Sequence, residues 1–439
     1  MKAAHLLAYC TIMSAVALSA LTIAAAPLKK GRTTTLQIPD DAEPRYSVRT
    51  LDVAEAARTP CACFVVPRGR EHEFVFSSDE GLAQVAASAK CARLLVVNLD
   101  PSRAGHAFGD VRAVQRELEP LIKDLAPPGA GAVPVMTAGN DLGRRDVVAT
   151  GLMGSGDAYV VEQVLDGART LRRLLFKSNP RSIQTEVVVA RVKPPKASTG
   201  KKKKKAKAAW RVDAADVRSA YHRAILAAVA TATAVDDVVL VGLGGGALAT
   251  ALRAHVPDAN IRAVELDAAV VQIAERWFRF SRADVSVTVS DGLLAFENVS
   301  DASADVVVID VDAKDAGLGM SCPPAAFLEA IYLQEVKRSV RPGGVCVVNI
   351  VARSAAAFSK AMFDLRAVFD DIRVCQPTDD DVNRVVVART GPPPDLDATR
   401  ARLRSWCADG DPLDLRGLLD RFDAPVSNDV ATGALDACD

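Results

Sequence analysis

VVLVGLGGGALATALRAHVPDANIRAVELD, residues 238–267, is the stretch on which the fold turns. An apolar run, Val238 to Val241, meets a turn with glycines at Gly242, Gly244 and Gly246. An alanine- and leucine-rich helical segment follows, then a second apolar run ending in Glu265, nineteen positions after the last glycine. The pattern is a strand, a tight turn, a helix and a second strand. Glycines let the backbone come close to a nucleoside, and a carboxylate at that spacing accepts hydrogen bonds from ribose hydroxyls. No lysine follows the turn, which excludes a P-loop. A dinucleotide is still compatible, with its pyrophosphate on the helix start.

Downstream the alternation continues. Strands are predicted near 237–242, 260–265, 285–290, 304–310, 344–350, 370–376 and 383–389, with helices at 246–255, 267–279, 324–338 and 355–369. Runs such as DVVVIDV and VCVVNIV lack polar alternation, as expected of strands covered on both faces. The order implies a doubly wound parallel sheet, with the last two strands forming a hairpin that makes one of them antiparallel.

Ligands of such sheets bind at the carboxyl ends of the strands. There the sequence places Glu265 with Leu266 beside it, Asp291-Gly292, Asp310 and Asp312, followed by the loop Gly317 to Pro324. Asp267, Asp291 and Asp315 stand near helix starts, where such residues are favoured as caps. We read Asp267 as a cap, and Glu265 with Asp291 as ligand-binding: the ribose for the first, an adenine amino group for the second. Carboxylates opposite the ligand suit a sulfonium better than a pyrophosphate, which favours S-adenosylmethionine as cofactor.

The rest of the chain is less telling. Its 439 residues allow two or three domains, and 49% apolar with 25% charged residues is an ordinary globular balance. A formal net charge of zero gives no bulk attraction to nucleic acid or anionic membrane. Nine scattered cysteines show no zinc-ligand spacing and fit reduced thiols in a cytoplasmic location, with no metal site expected. Residues 6–27 form an apolar run that reads equally as a membrane-spanning anchor or a core helix; a signal peptide is a further reading, disfavoured because the stronger positive cluster follows the run. The expected organisation is this segment and a linker over 1–42, an α+β domain over 43–192, a lysine-rich linker over 193–212, an α/β domain over 213–391 and a tail over 392–439. In the second part RYSVRTLDV, ACFVVP, EFVFS, ARLLVVNL, YVVEQVL, RRLLF and TEVVVARV read as strands, the last three as a hairpin layer, with helices at 79–89 and 109–125. The lysine run KKKKK reads as a solvated linker rather than a nucleic-acid site, because no aromatic residues interleave it.

The segments VVLVGLGGGALATAL, AVELDAAVVQIAERWFRFS, SDGLLAF and VVVIDVDAKDAGLGMSCPPAAFLE closely resemble the C-terminal methyltransferase domain of elongation factor 1-alpha lysine and N-terminal methyltransferases. The likeness runs from about Glu43 to Ala388 and extends, more distantly, to spermidine synthases. It implies a class I (Rossmann-like) methyltransferase sheet over 213–391, preceded by an α+β region ending in a small β-layer. It also implies that elongation factor 1-alpha is the protein substrate, methylated on its N-terminal α-amine. Gly242, Gly244, Gly246, Glu265, Leu266, Asp291 and Gly292 would then hold S-adenosylmethionine, with Asp310 and Asp312 orienting the amine and accepting its proton. Tyr221 and His222 are candidates to line the same pocket. Full-length members carry a further domain that modifies a lysine; its counterpart is not in this sequence, so that activity is expected to be absent. Two other readings are a spermidine synthase-like aminopropyltransferase and a non-catalytic membrane-anchored or ribosome-associated scaffold.

Overall fold

The computed structural model describes residues 33–422, apart from 41–42, 54–58, 68–69, 72, 78, 100–110, 138–144, 167–168, 193–208, 214–215, 298, 313–319, 353, 380, 390 and 408–412. The apolar run at 6–27, the lysine run, Asp315 and the first part of the 317–324 loop lie outside the described residues. No helix among the described residues is long and apolar enough to cross a membrane. Two compact units emerge: Met1–Thr150 with Val160–Ala168 and Pro180–Ile183, and Gly151–Tyr159 with Arg169–Asn179 and Gln184–Asp439.

The first unit holds a five-stranded sheet, β1 (Thr33–Asp40), β2 (Glu43–Asp52), β3 (Thr59–Val65), β4 (Cys91–Leu99) and β5 (Val135–Met136), in the order β1-β2-β4-β3-β5. Alternation along β3 and β4 supplies both faces. Cys61, Cys63, Val65, Leu95 and Val97 pack with the helix Val111–Leu125, whereas Ala62, Leu94 and Val96 pack with the helix Asp79–Ala89. Arg93 is fully buried in β4 and answers the buried Asp52 with hydrogen bonds of 2.6 and 3.0 Å, and its Nη1 donates to Leu125 O at 2.7 Å. Hydrogen bonds of this kind offset part of the cost of taking both charges out of water.

One expectation here is overturned. EFVFS reads as a strand, but Phe74–Ser77 is a helical turn, closed by Phe76 N–H and Ser77 N–H donating to Glu73 O at 2.8 and 2.9 Å. Tertiary contacts override the strand propensity of its aromatic residues. Phe76 stacks on Phe64 at 5.3 Å, and Arg70 lies over its ring while binding Glu73.

A second sheet has the order β10-β9-β8-β7-β6, from β6 (Arg145–Leu152), β7 (Ala158–Asp166), β8 (Arg169–Phe176), β9 (Asn179–Val192) and β10 (Ala209–Val212). Chain neighbours are sheet neighbours throughout. β10 pairs antiparallel with the end of β9 from within the stretch expected to be linker.

The main sheet of the second unit is built from β11 (Asp237–Val241), β12 (Asn260–Glu265), β13 (Ser286–Val289), β14 (Ala304–Ile309), β15 (Met320–Cys322), β16 (Val340–Ala352), β17 (Asp371–Cys375) and β18 (Arg384–Arg389). Its order is β13-β12-β11-β14-β16-β18-β17, with β15 added on β16. β11 to β14 and β16 run parallel, and β18 is antiparallel to both of its neighbours. Every residue of β14 is buried. Its period-2 alternation sends Val306 and Val308 to one apolar layer, and Val307 and Ile309 to the other. The helix Ala220–Val229 packs on the first layer, and the helices Ala330–Ser339 and Ala355–Arg366 on the second. Burial of each such branched side chain is worth about 1.5–3 kcal/mol, which is why an unbroken apolar run is stable only as a two-faced strand. The order reverses between β11 and β14, opening a crevice at their carboxyl ends.

Candidate active site

The turn after β11 lies against the end of β14. Gly242 N–H donates to Val264 O at 2.9 Å, and Asp310 N–H donates to Val241 O at 2.9 Å. This brings the two strand exits so close that a Cβ on Gly242, whose φ is +94°, would stand 2.1 Å from Asp310 O. Only glycine fits there. Gly244 comes under the middle of the long β9, at Gln184 and Thr185, and Gly245 N–H donates to Thr185 Oγ1 at 2.6 Å. Gly246 ends the turn immediately before the helix Ala247–His255.

Glu265, at the end of β12, is aimed back at the turn. Its Oε2 accepts from Leu243 N–H at 3.1 Å and its Oε1 from Asp267 N–H at 3.0 Å. Burial, the largest influence, pushes the carboxyl above its usual range, although those N–H groups favour the charged form. Asp267 is a cap, accepting from Ala269 N–H at 2.8 Å, and it also takes Gly154 N–H and Ser155 N–H at 3.3 and 3.2 Å. Asp291 is a cap too: its Oδ1 accepts from Leu293 N–H at 2.9 Å at the start of the short 3-10 turn Gly292–Leu294. Gly292 is pressed against the sheet, where a Cβ would meet Val241 Cγ1 at 2.7 Å. Around these strand ends Leu266, Val289 and Leu294 are 61%, 46% and 50% exposed, an unusual outlay of bare apolar surface beside a polar pair.

Asp310 has a different setting. Its Oδ1 accepts from Asn349 Nδ2 at 3.0 Å, and its Oδ2 accepts from Tyr221 O–H at 3.4 Å. His222 Nε2 is 3.8 Å from Oδ2, and the ring of His222 leans on Tyr221 at 4.3 Å. Cys322 lies below, its thiol 3.9 Å from Asp310 Oδ1 and 3.3 Å from Asn349 O. Burial first, and the neighbouring Asp310 charge second, push the Tyr221 hydroxyl and the Cys322 thiol well above their usual ranges, so both stay protonated donors. Asp312 is held from the other side by Gln184 Nε2 at 2.6 Å. Among the described residues no lysine or arginine pairs with Asp310, so its charge is answered by neutral donors and one histidine. Such a carboxylate has capacity left for a cationic or amine ligand.

The structure therefore gathers the glycine turn, Glu265, Asp310 and Asp312 around one crevice, and brings Tyr221 and His222 to Asp310. It adds Gln184, Thr185, Asn349 and Cys322, which sequence reading did not single out. Asn349 had a signal: it is the one polar residue in the otherwise apolar run VCVVNIV. Gln184 and Thr185 had none, because only the topology lays their strand over the turn.

Strand order, the antiparallel final strand and the glycine turn at the switch point define a class I, Rossmann-like methyltransferase fold. The particular relatives are eEF1A lysine and N-terminal methyltransferases, the resemblance read from the sequence. The protein of that name from Danio rerio is 36% identical over 361 residues, covering 74% of this chain and 51% of its own. Its counterpart from Homo sapiens is 34% identical over 386 residues, covering 80% and 54% respectively. The chain thus spans about half the length of the curated relatives it matches. Among solved structures, human Methyltransferase-like protein 13 in complex with SAH is 31% identical, with a TM-score of 0.40, covering 43% of this chain and 93% of that one. No protein-family model matches the sequence.

Proposed function

We propose that this chain is an S-adenosylmethionine-dependent methyltransferase acting on a protein α-amine, that of elongation factor 1-alpha, in the cytoplasm. The observation that carries the reading is the contact between Gly242 and the end of β14, which sets a nucleoside cradle beside the Asp310 carboxylate. The residues fit the cofactor: the glycine turn is packed so closely that a Cβ on Gly242 or Gly246 would meet Asp310 O or Phe280, and Glu265, held at the turn by the N–H groups of Leu243 and Asp267, keeps lone pairs for ribose hydroxyls. Leu266 and the Asp291-Gly292 turn would flank the adenine, with Gly244 and Gly246 passing close to the methionine part.

Bound S-adenosylmethionine supplies an electrophilic methyl group on a sulfonium. The chain supplies alignment, the main requirement of an in-line displacement. Asp310 accepts an N–H of the incoming amine and Asp312 stands ready on the other side. An α-amine has an unperturbed pKa of about 7.7–8.0, so a neutral fraction exists at pH 7 and no strong base is needed. Proton loss then passes to the carboxylate pair. Incubation with labelled S-adenosylmethionine and elongation factor 1-alpha should put label on the factor's N-terminus, and Asp312→Ala should reduce it about tenfold or more. Label absent from that amine sinks the assignment.

Glu265 supplies a pH prediction. As a hydrogen-bond acceptor for ribose hydroxyls it must be ionised, and burial raises its pKa. Cofactor affinity should therefore fall as pH drops toward a point above the usual carboxylate range. The sign for stability is opposite: the folded chain holds this proton more tightly than the unfolded chain, so ionisation costs stability as pH rises through the window. Calorimetric titrations of Glu265→Gln should show affinity lowered about 10- to 100-fold and the acid-side pH dependence gone. An unchanged pH profile in that variant refutes the role.

A further inference from the structure

Asn349 lies within the buried part of β16, beside Asp310, and is 3% exposed. Its amide is oriented by chemistry: the NH2 group must face the Asp310 carboxylate, to which it donates at 3.0 Å. The backbone oxygen of Asn349 accepts from the Cys322 thiol at 3.3 Å. The side-chain oxygen, Oδ1, is buried and accepts no hydrogen bond among the described residues. A buried amide oxygen left without a donor costs about 1–3 kcal/mol, and such an orphan in a site asks for a ligand donor.

Covalent geometry makes the pairing with Asp310 informative. Oδ1 is about 2.3 Å from its own Nδ2, so it lies within roughly 5.3 Å of Asp310 Oδ1. One nitrogen can reach two acceptors at that separation, because two N–H···O bonds of about 2.9 Å on a tetrahedral centre span roughly 4.7 Å. We propose that Asn349 Oδ1 is the second acceptor for the substrate amine, so that Asp310 and Asn349 together take two N–H bonds and fix the direction of the nitrogen lone pair. This rests on the amine-methylation reading above. A neutral primary amine has two N–H groups and one lone pair, and with both N–H groups held the lone pair has a single direction left. Each methyl group added removes one N–H, so the contribution of Asn349 should be greatest for the unmethylated substrate.

The test measures binding of a peptide with the N-terminal sequence of elongation factor 1-alpha, with a free or an N,N-dimethylated α-amine, by calorimetry in the presence of S-adenosylhomocysteine. Asn349→Leu removes both polar atoms at nearly constant volume, and Asn349→Ser keeps a small donor toward Asp310 in case the first variant does not fold. Both should bind the free-amine peptide at least about tenfold more weakly and the dimethylated peptide within about threefold of wild type. The free-amine loss should persist when each is combined with Asp310→Asn, since the contact is direct. Equal losses for the two peptides, or a loss that vanishes in the Asp310→Asn background, assign Asn349 to holding Asp310 alone and overturn the proposal. Wild-type protein that binds S-adenosylhomocysteine but neither peptide overturns the amine reading itself, which is a different result from weak variants of a binding wild type.

Discussion

In the proposed reaction Asp310→Asn should lower the rate of methyl transfer to an α-amine on the order of a thousandfold, while affinity for S-adenosylmethionine should stay within about threefold. Among the described residues the carboxylate meets only neutral donors and His222, which leaves its charge to act on the proposed amine. An asparagine keeps the volume but exchanges one acceptor oxygen for a donor NH2 group, which then faces either Asn349 Nδ2 or Tyr221 O–H, both donors. The amine therefore loses its anionic partner and meets a reversed dipole. Tyr221 remains protonated in the variant, because burial outweighs the Asp310 charge in raising its pKa, so the pocket wall is unchanged. The glycine turn of the proposed cradle packs on the backbone of Asp310 rather than its side chain, which is why binding should survive. Asp312, tied to Gln184, can assume part of the proton-accepting role and limits the loss. Single-turnover rates with calorimetric cofactor binding decide the matter. A fall below about tenfold moves the amine-facing role away from Asp310.

How far the sequence carried this reading depends on the kind of interaction. The parallel sheet was legible because burial on both faces leaves unbroken apolar runs, and β11, β12, β14 and β16 fall where those runs are. Glu265 and Asp310 were legible because polar residues ending such runs have no packing use. What was hidden depends on partners far along the chain. Thr185 reaches Gly245 across 60 positions and Gln184 reaches Asp312 across 128, and no local pattern encodes such a meeting. The helical turn at Phe74–Ser77 was misread for a related reason: its aromatic residues favour a strand locally, and the stacking of Phe76 on Phe64 is a tertiary fact. β10 was hidden because its four residues follow a lysine run whose composition signals only solvation.

Gly242→Ala should abolish cofactor binding, with affinity falling at least a hundredfold, and should lower the unfolding temperature as well. Two costs combine. At φ +94° an alanine pays about 1–2 kcal/mol of backbone strain. Its methyl group would also sit 2.1 Å from Asp310 O, a main-chain atom at the end of a fully buried strand that cannot rotate away as a side chain could. Overpacking of that kind costs about 1–3 kcal/mol when the surroundings yield. Yielding here means parting the glycine turn from β14, which opens the crevice where the two must meet. Gly391→Ala separates the two terms, since that residue has φ +102° with nothing within 4 Å of its Cβ position. Strain alone should cost that control about 1 kcal/mol and leave cofactor affinity unchanged. Thermal melts and calorimetry on the two variants side by side give the comparison. If Gly242→Ala binds S-adenosylmethionine as Gly391→Ala does, the contact between turn and strand is not the cofactor's seat, and Asp310 loses the neighbour that makes it an amine-facing acid.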